Sequence, residues 1–336
     1  MDFLNAIVAF SNFVLIPATA YGAQLALGAL GVTILFGILR FSNFAHGDTM
    51  AFGCMVTIFF TWWFQGMGIS LGVLPTALLA LPFGIAVTIA FLLLTDRVVY
   101  RFYREQRSAP VILMMVSLGI MFVMNGLVRF IIGPNEQRFA DGARFIVSAR
   151  DFKAWSGLRE GLAFKSTQGI TIITAVVVVA ILFWFLNRTR TGKSMRAYSD
   201  NRDLALLSGI NPERVVLVTW MIVATLATIA GVLYGLDKSF KPFVFLQLLL
   251  PIFAAAVVGG LGNPIGAIAG GFTIAYSEVM VTYAWKKVAN YLLPERFEVD
   301  GLAQLLSTDY KFCVSFTILV IVLLIKPTGL FKGQQT

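Results

Sequence analysis

The chain has 336 residues, of which 58% are hydrophobic and only 13% are charged. A soluble fold of this length cannot bury so much apolar surface, so the composition excludes an ordinary soluble domain and indicates that lipid is the solvent. The net charge of +9 would suit nucleic acid, but the basic residues lie in short loops between apolar runs. That distribution favours membrane orientation and predicts no nucleic-acid partner.

Apolar windows separated by helix breakers predict about ten spanning helices, and therefore an all-α polytopic membrane protein. In the first half these windows cover residues 3–20, 21–39, 43–64, 71–94 and 110–133. In the second half they cover residues 168–186, 215–236, 243–262, 264–284 and 310–326. Pro17 interrupts the first window and Pro251 the eighth. Losing either span would change the side on which one terminus lies.

Lysine and arginine in the short loops predict which side each loop faces. Residues 96–109 and 187–214 are rich in arginine, so both are expected to be cytoplasmic, whereas residues 134–167 mix acids and bases and suit the periplasmic side. Ten crossings then place both termini in the cytoplasm. The chain is expected to form one membrane domain, 1–336, with an N-terminal half, 1–133, and a C-terminal half, 168–336. The span 21–39 would run inward and 215–236 outward, as an inverted repeat requires.

A polar interruption follows the second span, in the sequence Ser42-Asn43-Phe44-Ala45-His46-Gly47-Asp48. It has two interpretations. One is a surface loop in which Asn43 caps the next helix and Asp48 lies near the positive end of that helix. The other is a discontinuous helix near the bilayer midplane, with Asn43, His46 and Asp48 along a transport route. His46 is expected to form local hydrogen bonds rather than carry protons, because no acidic relay accompanies it.

A second interruption is the glycine-rich sequence from Gly259 to Gly266, which contains Pro264 and predicts a bent or broken helix. Its small residues suit a packing seam between helices, and its backbone could also border a pathway, with Gly262 and Asn263 as the candidate residues. Glu278 lies in the apolar run that follows, so it is expected to face another helix or water.

The basic segment 187–214 contains a short amphipathic helix. Ser199 or Asp200 is expected to cap it, Gly209 to end it, and Asn211-Pro212 to begin the next span. Such a helix can dock in the groove of a partner protein or lie in the membrane interface.

Four motifs resemble those of permease subunits of branched-chain amino acid ABC transporters. They are the segment from Thr189 to Asn211, Asn43-Phe44-Ala45-His46-Gly47, the run from Gly259 to Ala267, and Lys326-Pro327-Thr328-Gly329-Leu330-Phe331. The four occur in the family's order, so the resemblance covers nearly the whole chain.

The resemblance implies a single permease domain in the bacterial inner membrane. Its expected partners are a homologous permease subunit in a heterodimer, two cytoplasmic ATPase subunits, a periplasmic binding protein and membrane lipid. It also implies that the loop 187–214 couples the permease to the ATPases. The candidate coupling residues are Gly192, Arg196, Asn201, Leu204, Leu207 and Gly209. No catalytic residue, cofactor or metal is expected, and Gly192-Lys193-Ser194 imitates only the end of a phosphate-binding loop.

Two departures from the family leave the substrate open. The chain reads Leu248-Leu249-Leu250-Pro251-Ile252-Phe253 where relatives often have a lysine, and its segment 134–168 is longer than in many of them. Urea, amides or other amino acids are therefore alternative substrates. A stand-alone ion-coupled carrier that uses Glu278 or His46 is an alternative class. An intramembrane enzyme has little support, since the chain has one histidine and no evident pairing of a nucleophile with a base.

Overall fold

A computed structural model describes residues 2–139, 141–292, 303–326 and 328–331. The first half contains four long helices. They are α1 (Asp2–Leu39), α2 (His46–Gly66), α3 (Ala77–Glu105) and α4 (Pro110–Ile132). A segment with little regular structure follows. It holds strand β1 (Phe145–Val147), helix α5 (Ala149–Ser156) and strand β2 (Phe164–Lys165), and the two strands pair antiparallel.

The second half continues with α6 (Ser166–Arg188) and two shorter helices, α7 (Arg190–Asp200) and α8 (Arg202–Leu207). Three long helices come next. They are α9 (Pro212–Lys238), α10 (Pro242–Gly259) and α11 (Pro264–Thr282). The described chain ends with α12 (Lys286–Leu292), a 3₁₀ turn (Thr308–Tyr310) and α13 (Lys311–Ile325). Helices α4, α9, α10 and α11 each begin with a proline, which suits the first turn because the backbone N–H there has no partner within the helix.

Seven helices of the described chain are long and apolar enough to cross a membrane, namely α1, α3, α4, α6, α9, α10 and α11. Helix α2 and the shorter α13 coincide with two further predicted spans. The all-α polytopic fold is thus confirmed, and the small β1–β2 pair is the one addition to it among the described residues.

The first two predicted spans form one helix, α1, so the predicted break between residues 20 and 21 is wrong. Pro17 does not end this helix, because it lies in the first turn of the α-helical stretch Ile16–Leu39 that follows a π-helical turn, Ser11–Leu15, and proline is tolerated in a first turn. Pro251 likewise lies inside α10 without ending it, and the chain breaks at Gly260 instead.

The continuity of α1 changes the predicted topology. Near its start, the side chains of Asn5 and Asn12 accept hydrogen bonds from the backbone of Glu160 and Ala163, in the segment expected on the outer side. At its other end, α1 contacts α7, in the segment expected to be cytoplasmic. The C-terminal Leu330 binds the carbonyl of Val258 at the end of α10, near that second side. The two ends of the described chain therefore lie at opposite ends of the bundle. The side of the membrane that each terminus faces stays a prediction.

Helix α1 is the centre of the bundle. From Ala18 to Ile38 nearly every residue is buried, and α6, α9, α10 and α11 all pack against it. Gln24 donates to the carbonyl of Leu233, which places the start of the predicted span 21–39 beside the end of α9. The predicted opposite directions of 21–39 and 215–236 are thereby confirmed, and the inverted repeat itself stays a prediction.

Labelling from one side of the membrane tests this topology. Leu4, Trp155 and Leu207 are exposed, so each can be replaced singly by cysteine in a Cys313→Ser background, where the remaining Cys54 is buried. In sealed right-side-out vesicles, an impermeant maleimide should label Leu4→Cys and Trp155→Cys but not Leu207→Cys, and inverted vesicles should show the reverse. Labelling of Leu4→Cys from the same side as Leu207→Cys would mean that a break in α1 exists after all.

Candidate functional site

The polar break between α1 and α2, residues 40–45, is enclosed by the bundle. Only 3% of Asn43, 1% of His46 and 0% of Asp48 is exposed. His46 packs against Gly31, which lies eight residues before the end of α1 and hence about 12 Å along the helix axis. Of the two interpretations of this segment, the structure has the chain turn back inside the bundle rather than at its surface.

Asn43 holds the backbone of this break. Its Oδ1 atom accepts hydrogen bonds from the backbone N–H of Ala45 at 3.1 Å and from the hydroxyl of Tyr100 at 3.2 Å. The N–H of Phe44 donates to Ser117 on α4 at 3.1 Å. Side chains from neighbouring helices thus replace the partners that a continuous helix would have supplied.

His46 points toward α1. A Cβ atom at Gly31 would lie 2.6 Å from Cε1 of the imidazole, so the missing side chain of Gly31 makes the space that the ring occupies. Among the described residues, neither ring nitrogen has a hydrogen-bond partner. The backbone of Gly28 nevertheless lies close enough to interact with the imidazole, so the expected local hydrogen bonding of His46 stays a prediction.

Asp48 points toward α4. Its Oδ1 atom accepts a hydrogen bond from Asn125 at 2.7 Å, and its Oδ2 atom has no partner among the described residues. Asn43, His46 and Asp48 therefore contact three different helices, α3, α1 and α4. The structure brings them to one break in the chain but does not make them converge on one ligand-sized space.

A polar network missed at the sequence level connects this break to the end of the bundle where α7 lies. The ring of Tyr100 stacks on Trp220 with 5.1 Å between centroids, and the indole N–H of Trp220 donates to Asp96 at 2.7 Å. Asp96 also pairs with Arg104. Asp96 and Trp220 lie in different spans, so no spacing within either span could show their contact, although an acid beside an apolar run was a usable signal.

The glycine-rich interruption forms a tight turn between α10 and α11, so the predicted broken helix is confirmed. Gly260 and Gly262 have φ of 106° and 85°, values that L side chains rarely adopt. Asn263 accepts hydrogen bonds from the N–H groups of Ile265 and Gly266, which makes it the cap of α11. Gly259 and Gly266 meet backbone to backbone, as the predicted seam requires. Gly262 also borders a cavity of about 190 Å³ shared with residues of α1 and α7.

The segment 187–214, for which a role in coupling is predicted, contains two short helices, α7 and α8, whereas one was predicted. Ser199 and Asp200 lie in the last turn of α7, and Asn201 caps α8 by accepting from the N–H of Leu204 at 3.0 Å. The expected cap at Ser199 or Asp200 is therefore wrong, because the chain remains helical through both. Gly209 follows α8 with φ of 79°, and Asn211 caps α9, as predicted.

The remaining coupling candidates divide into buried and exposed residues. Gly192 is buried against the backbone of Phe185 and Leu186, which leaves no room for a side chain. Arg196 is exposed and donates to Asn187 at 2.9 Å. Leu204 and Leu207 on α8 are 61% and 85% exposed. An exposed pair of leucines beside many basic residues is unusual unless a partner covers it.

Glu278 is buried between helices, as expected. It accepts a hydrogen bond from Ser315 of α13, and Tyr21 of α1 and Lys311 lie close enough to interact with its carboxylate. Its second oxygen has no hydrogen-bond partner among the described residues.

In the segment expected on the outer side, Glu136 joins the residues after α4 to the turn between α9 and α10. Lys241 contacts it at 2.9 Å, and Gln137 pairs with Phe240 through two backbone hydrogen bonds. Hydrogen bonds from Lys241, Arg138 and Ser239 lower the pKa of Glu136 to about 2, so this carboxylate stays ionised at neutral pH.

A bundle of long apolar helices with polar breaks held inside it is the architecture of a polytopic membrane transport protein. Residues 15–323 match the family described as "Branched-chain amino acid transport system / permease component". The chain belongs to this family.

Several named proteins are similar to this chain. The chain is 28% identical over 320 residues to the high-affinity branched-chain amino acid transport system permease protein LivH of Escherichia coli K12, covering 94% of this chain and 93% of that one. It is 26% identical to BraD, the corresponding permease protein of Pseudomonas aeruginosa, covering 96% and 95%. A fructose import permease protein of Bifidobacterium longum is 29% identical over 49% of this chain and 46% of its own length. Among solved structures, PsaBC from Streptococcus pneumoniae in complex with Fab aligns with a TM-score of 0.49 at 12% identity, covering 97% of this chain and 96% of that one.

The contact between Gly31 and His46 predicts a compensating pair of substitutions. Gly31→Ala should destabilise the protein by about 1–3 kcal/mol, because the added methyl group overlaps the imidazole. Gly31→Ala combined with His46→Ala should recover most of that loss. Thermal unfolding in detergent measures both, with Gly119→Ala as the control, since Gly119 has open space around it. A Gly31→Ala variant as stable as the control would contradict the contact.

Proposed function

We propose that this chain is the permease subunit of an ATP-binding-cassette importer that translocates branched-chain or related amino acids. ATP hydrolysis takes place in separate partner subunits, and a periplasmic binding protein delivers the substrate. Membership of the permease family supports the transport role, and the relatives LivH and BraD, whose names specify branched-chain amino acids, support the substrate class.

The exposed helix α8 is the observation that carries the mechanism. It follows directly after α7 in the basic segment, and Leu204 and Leu207 project from it with little cover. Burial of a leucine side chain contributes about 1.5–3 kcal/mol, so a groove in an ATPase subunit that covers both would bind the helix firmly. In this proposal the two leucines contact the ATPase. Gly192, Arg196, Asn201 and Gly209 shape the segment that presents them.

The proposed contact between α8 and the ATPase also implies how the chain is oriented in the membrane. Helices α7 and α8 face the cytoplasm, and residues 134–165 face the periplasm, where the binding protein docks. The basic residues of 96–109 and 187–214 support this direction. The membrane is the bacterial inner membrane, and 1–336 acts as one permease domain.

The substrate route lies between two homologous permease subunits, most simply in a heterodimer. Support comes from the burial of Asn43, His46 and Asp48, each of which contacts a neighbouring helix of its own chain. Their role is to hold the break between α1 and α2 in place beside the route. Gly262 and Asn263 shape the cytoplasmic end, since the cavity next to Gly262 reaches α7.

An ion-coupled carrier is the second candidate function, and the buried Glu278 is the observation that favours it. Such a carrier would accumulate substrate without ATPase subunits. The assembled complex in proteoliposomes should instead take up leucine only when ATP is present on the α8 side, and the chain alone should show no uptake driven by a proton gradient. Uptake by the chain alone would replace the importer proposal with the carrier.

Changes in α8 should act on coupling rather than on folding. Leu207→Asp places a charge in the apolar contact, and Gly209→Pro removes the φ of 79° that ends the helix, because proline is restricted to negative φ. Each should lower substrate-stimulated ATPase activity by about tenfold, the equivalent of 1.4 kcal/mol. Leu305→Asp is the matched control, since Leu305 is 77% exposed on the opposite side. Equal stimulation in Leu207→Asp and Leu305→Asp would count against α8 as the coupling element.

A further inference from the structure

The ends of α1 and α7 hold each other through two hydrogen bonds. The Nη2 atom of Arg40 donates to the carbonyl oxygen of Ser199 at 2.6 Å, and the hydroxyl of Ser199 donates to the carbonyl oxygen of Gly37 at 3.1 Å. Gly37 is in the last turn of α1, Arg40 directly follows that helix, and Ser199 is in the last turn of α7. The two contacts join segments about 160 residues apart in the sequence.

Both acceptors are carbonyl groups in the last turns of their helices. The last four carbonyls of an α-helix have no N–H further along the helix to bind, and together they give that end a partial negative charge. Two such ends facing each other would repel. The guanidinium of Arg40 lies at this junction, where its positive charge offsets the repulsion and its N–H group satisfies the carbonyl of Ser199.

Arg40 adopts an uncommon backbone conformation at this place. Its φ is 57°, in the left-handed region that disfavours residues other than glycine, and its N–H closes the end of α1 by binding the carbonyl of Phe36. Glycine would suit the backbone better at such a position, so an arginine here raises the conformational free energy of the folded chain. The bond that its side chain makes to α7 is a contribution that glycine could not make.

The two helix ends approach each other closely at Gly37. Gly37 has no side chain, and a Cβ atom there would lie 3.0 Å from the hydroxyl oxygen of Ser199, so only a small residue permits the approach. Beside the contact is the cavity of about 190 Å³ lined by Gly37, Ser199, Asp200 and Gly262 among others. The hydrogen bonds of Arg40 and Ser199 therefore join the two helix ends beside a space that side chains do not fill.

The junction is adjacent to the buried break. Arg40 precedes Asn43 by three residues, and Gly37 lies six residues after Gly31, about 9 Å along α1 from the contact with His46. A displacement of α7 that pulls on the end of α1 would thus reach the segment that connects α1 to α2.

We propose that Arg40 is a positioning residue that fastens the coupling segment to the central helix, so that movement of α7 and α8 is transmitted to the break at residues 40–45. This inference rests on the proposed importer function. It adds a residue outside the coupling segment to the path between ATP hydrolysis and transport.

Arg40→Gln tests the connection in the assembled complex, with uptake and ATP hydrolysis measured in the same proteoliposomes. Glutamine keeps a polar side chain but loses the charge and the reach of the guanidinium. Molecules transported per ATP hydrolysed should fall by about fivefold or more, with basal ATPase activity retained. Arg107→Gln is the matched control, because Arg107 is an exposed arginine that also has a positive φ, of 52°.

A disulfide between α1 and α7 in place of the Arg40 hydrogen bond distinguishes a role in transmitting movement from a role in protein stability alone. In the Arg40→Gln background, also carrying Cys54→Ala and Cys313→Ser, Gly37→Cys and Ser199→Cys should form a disulfide on oxidation. The oxidised protein should regain most of the transport per ATP, and reduction should remove that gain. The proposal is overturned if Arg40→Gln keeps the ratio of its control, or if the disulfide forms and does not raise the ratio. Failure of the wild-type complex to show ATP-dependent uptake would instead refute the importer function itself.

Discussion

The close approach of four other elements to the backbone of α1 is the constraint on which the rest of the structure depends. Gly22, Gly28, Gly31 and Gly37 leave space for Phe272, Ile252, His46 and Ser199, which belong to α11, α10, α2 and α7. In a membrane, helices gain little from excluding water and associate through close packing, so small residues at the contacts matter more than apolar ones. Because α1 has no side chains at these four positions, its backbone contacts α10, α11, the start of α2 and α7 at once.

The polar groups of this protein fall into two physical situations. Inside the bundle, Asn43, Ser117 and Tyr100 supply hydrogen bonds that lipid cannot supply, and this is what allows the chain to interrupt its helices at depth. At the surface, α8 presents apolar side chains where a partner can cover them. The first situation stabilises a break inside the bundle, and the second leaves an apolar surface that the proposed ATPase subunit would cover. Arg40 lies between them, at the end of α1 and against α7.

Several expectations failed for reasons that concern contacts between distant segments. Pro17 resembled a break because proline removes a backbone donor, yet it lies in the first turn after a π turn, where proline is tolerated and α1 continues. That one change places the two ends of the described chain at opposite ends of the bundle. Ser199 was expected to cap α8, but the helix before it extends further and Ser199 binds α1 instead. Proline does disfavour a helix interior, and serine does favour a helix cap. In both cases the backbone structure around the residue decided whether that preference took effect.

The sequence by itself determined the membrane class, the approximate positions of nearly all the long helices, the two interruptions and the presence of a short helix in the basic segment 187–214. These features depend on hydropathy, proline and glycine, which act within a few residues of one another. Only the tertiary structure decided that α1 is continuous, that Asn43, His46 and Asp48 face three different helices, and that Arg40 meets Ser199. Such contacts join residues far apart in the chain, and their geometry depends on how helices pack, which no local pattern of residue types specifies.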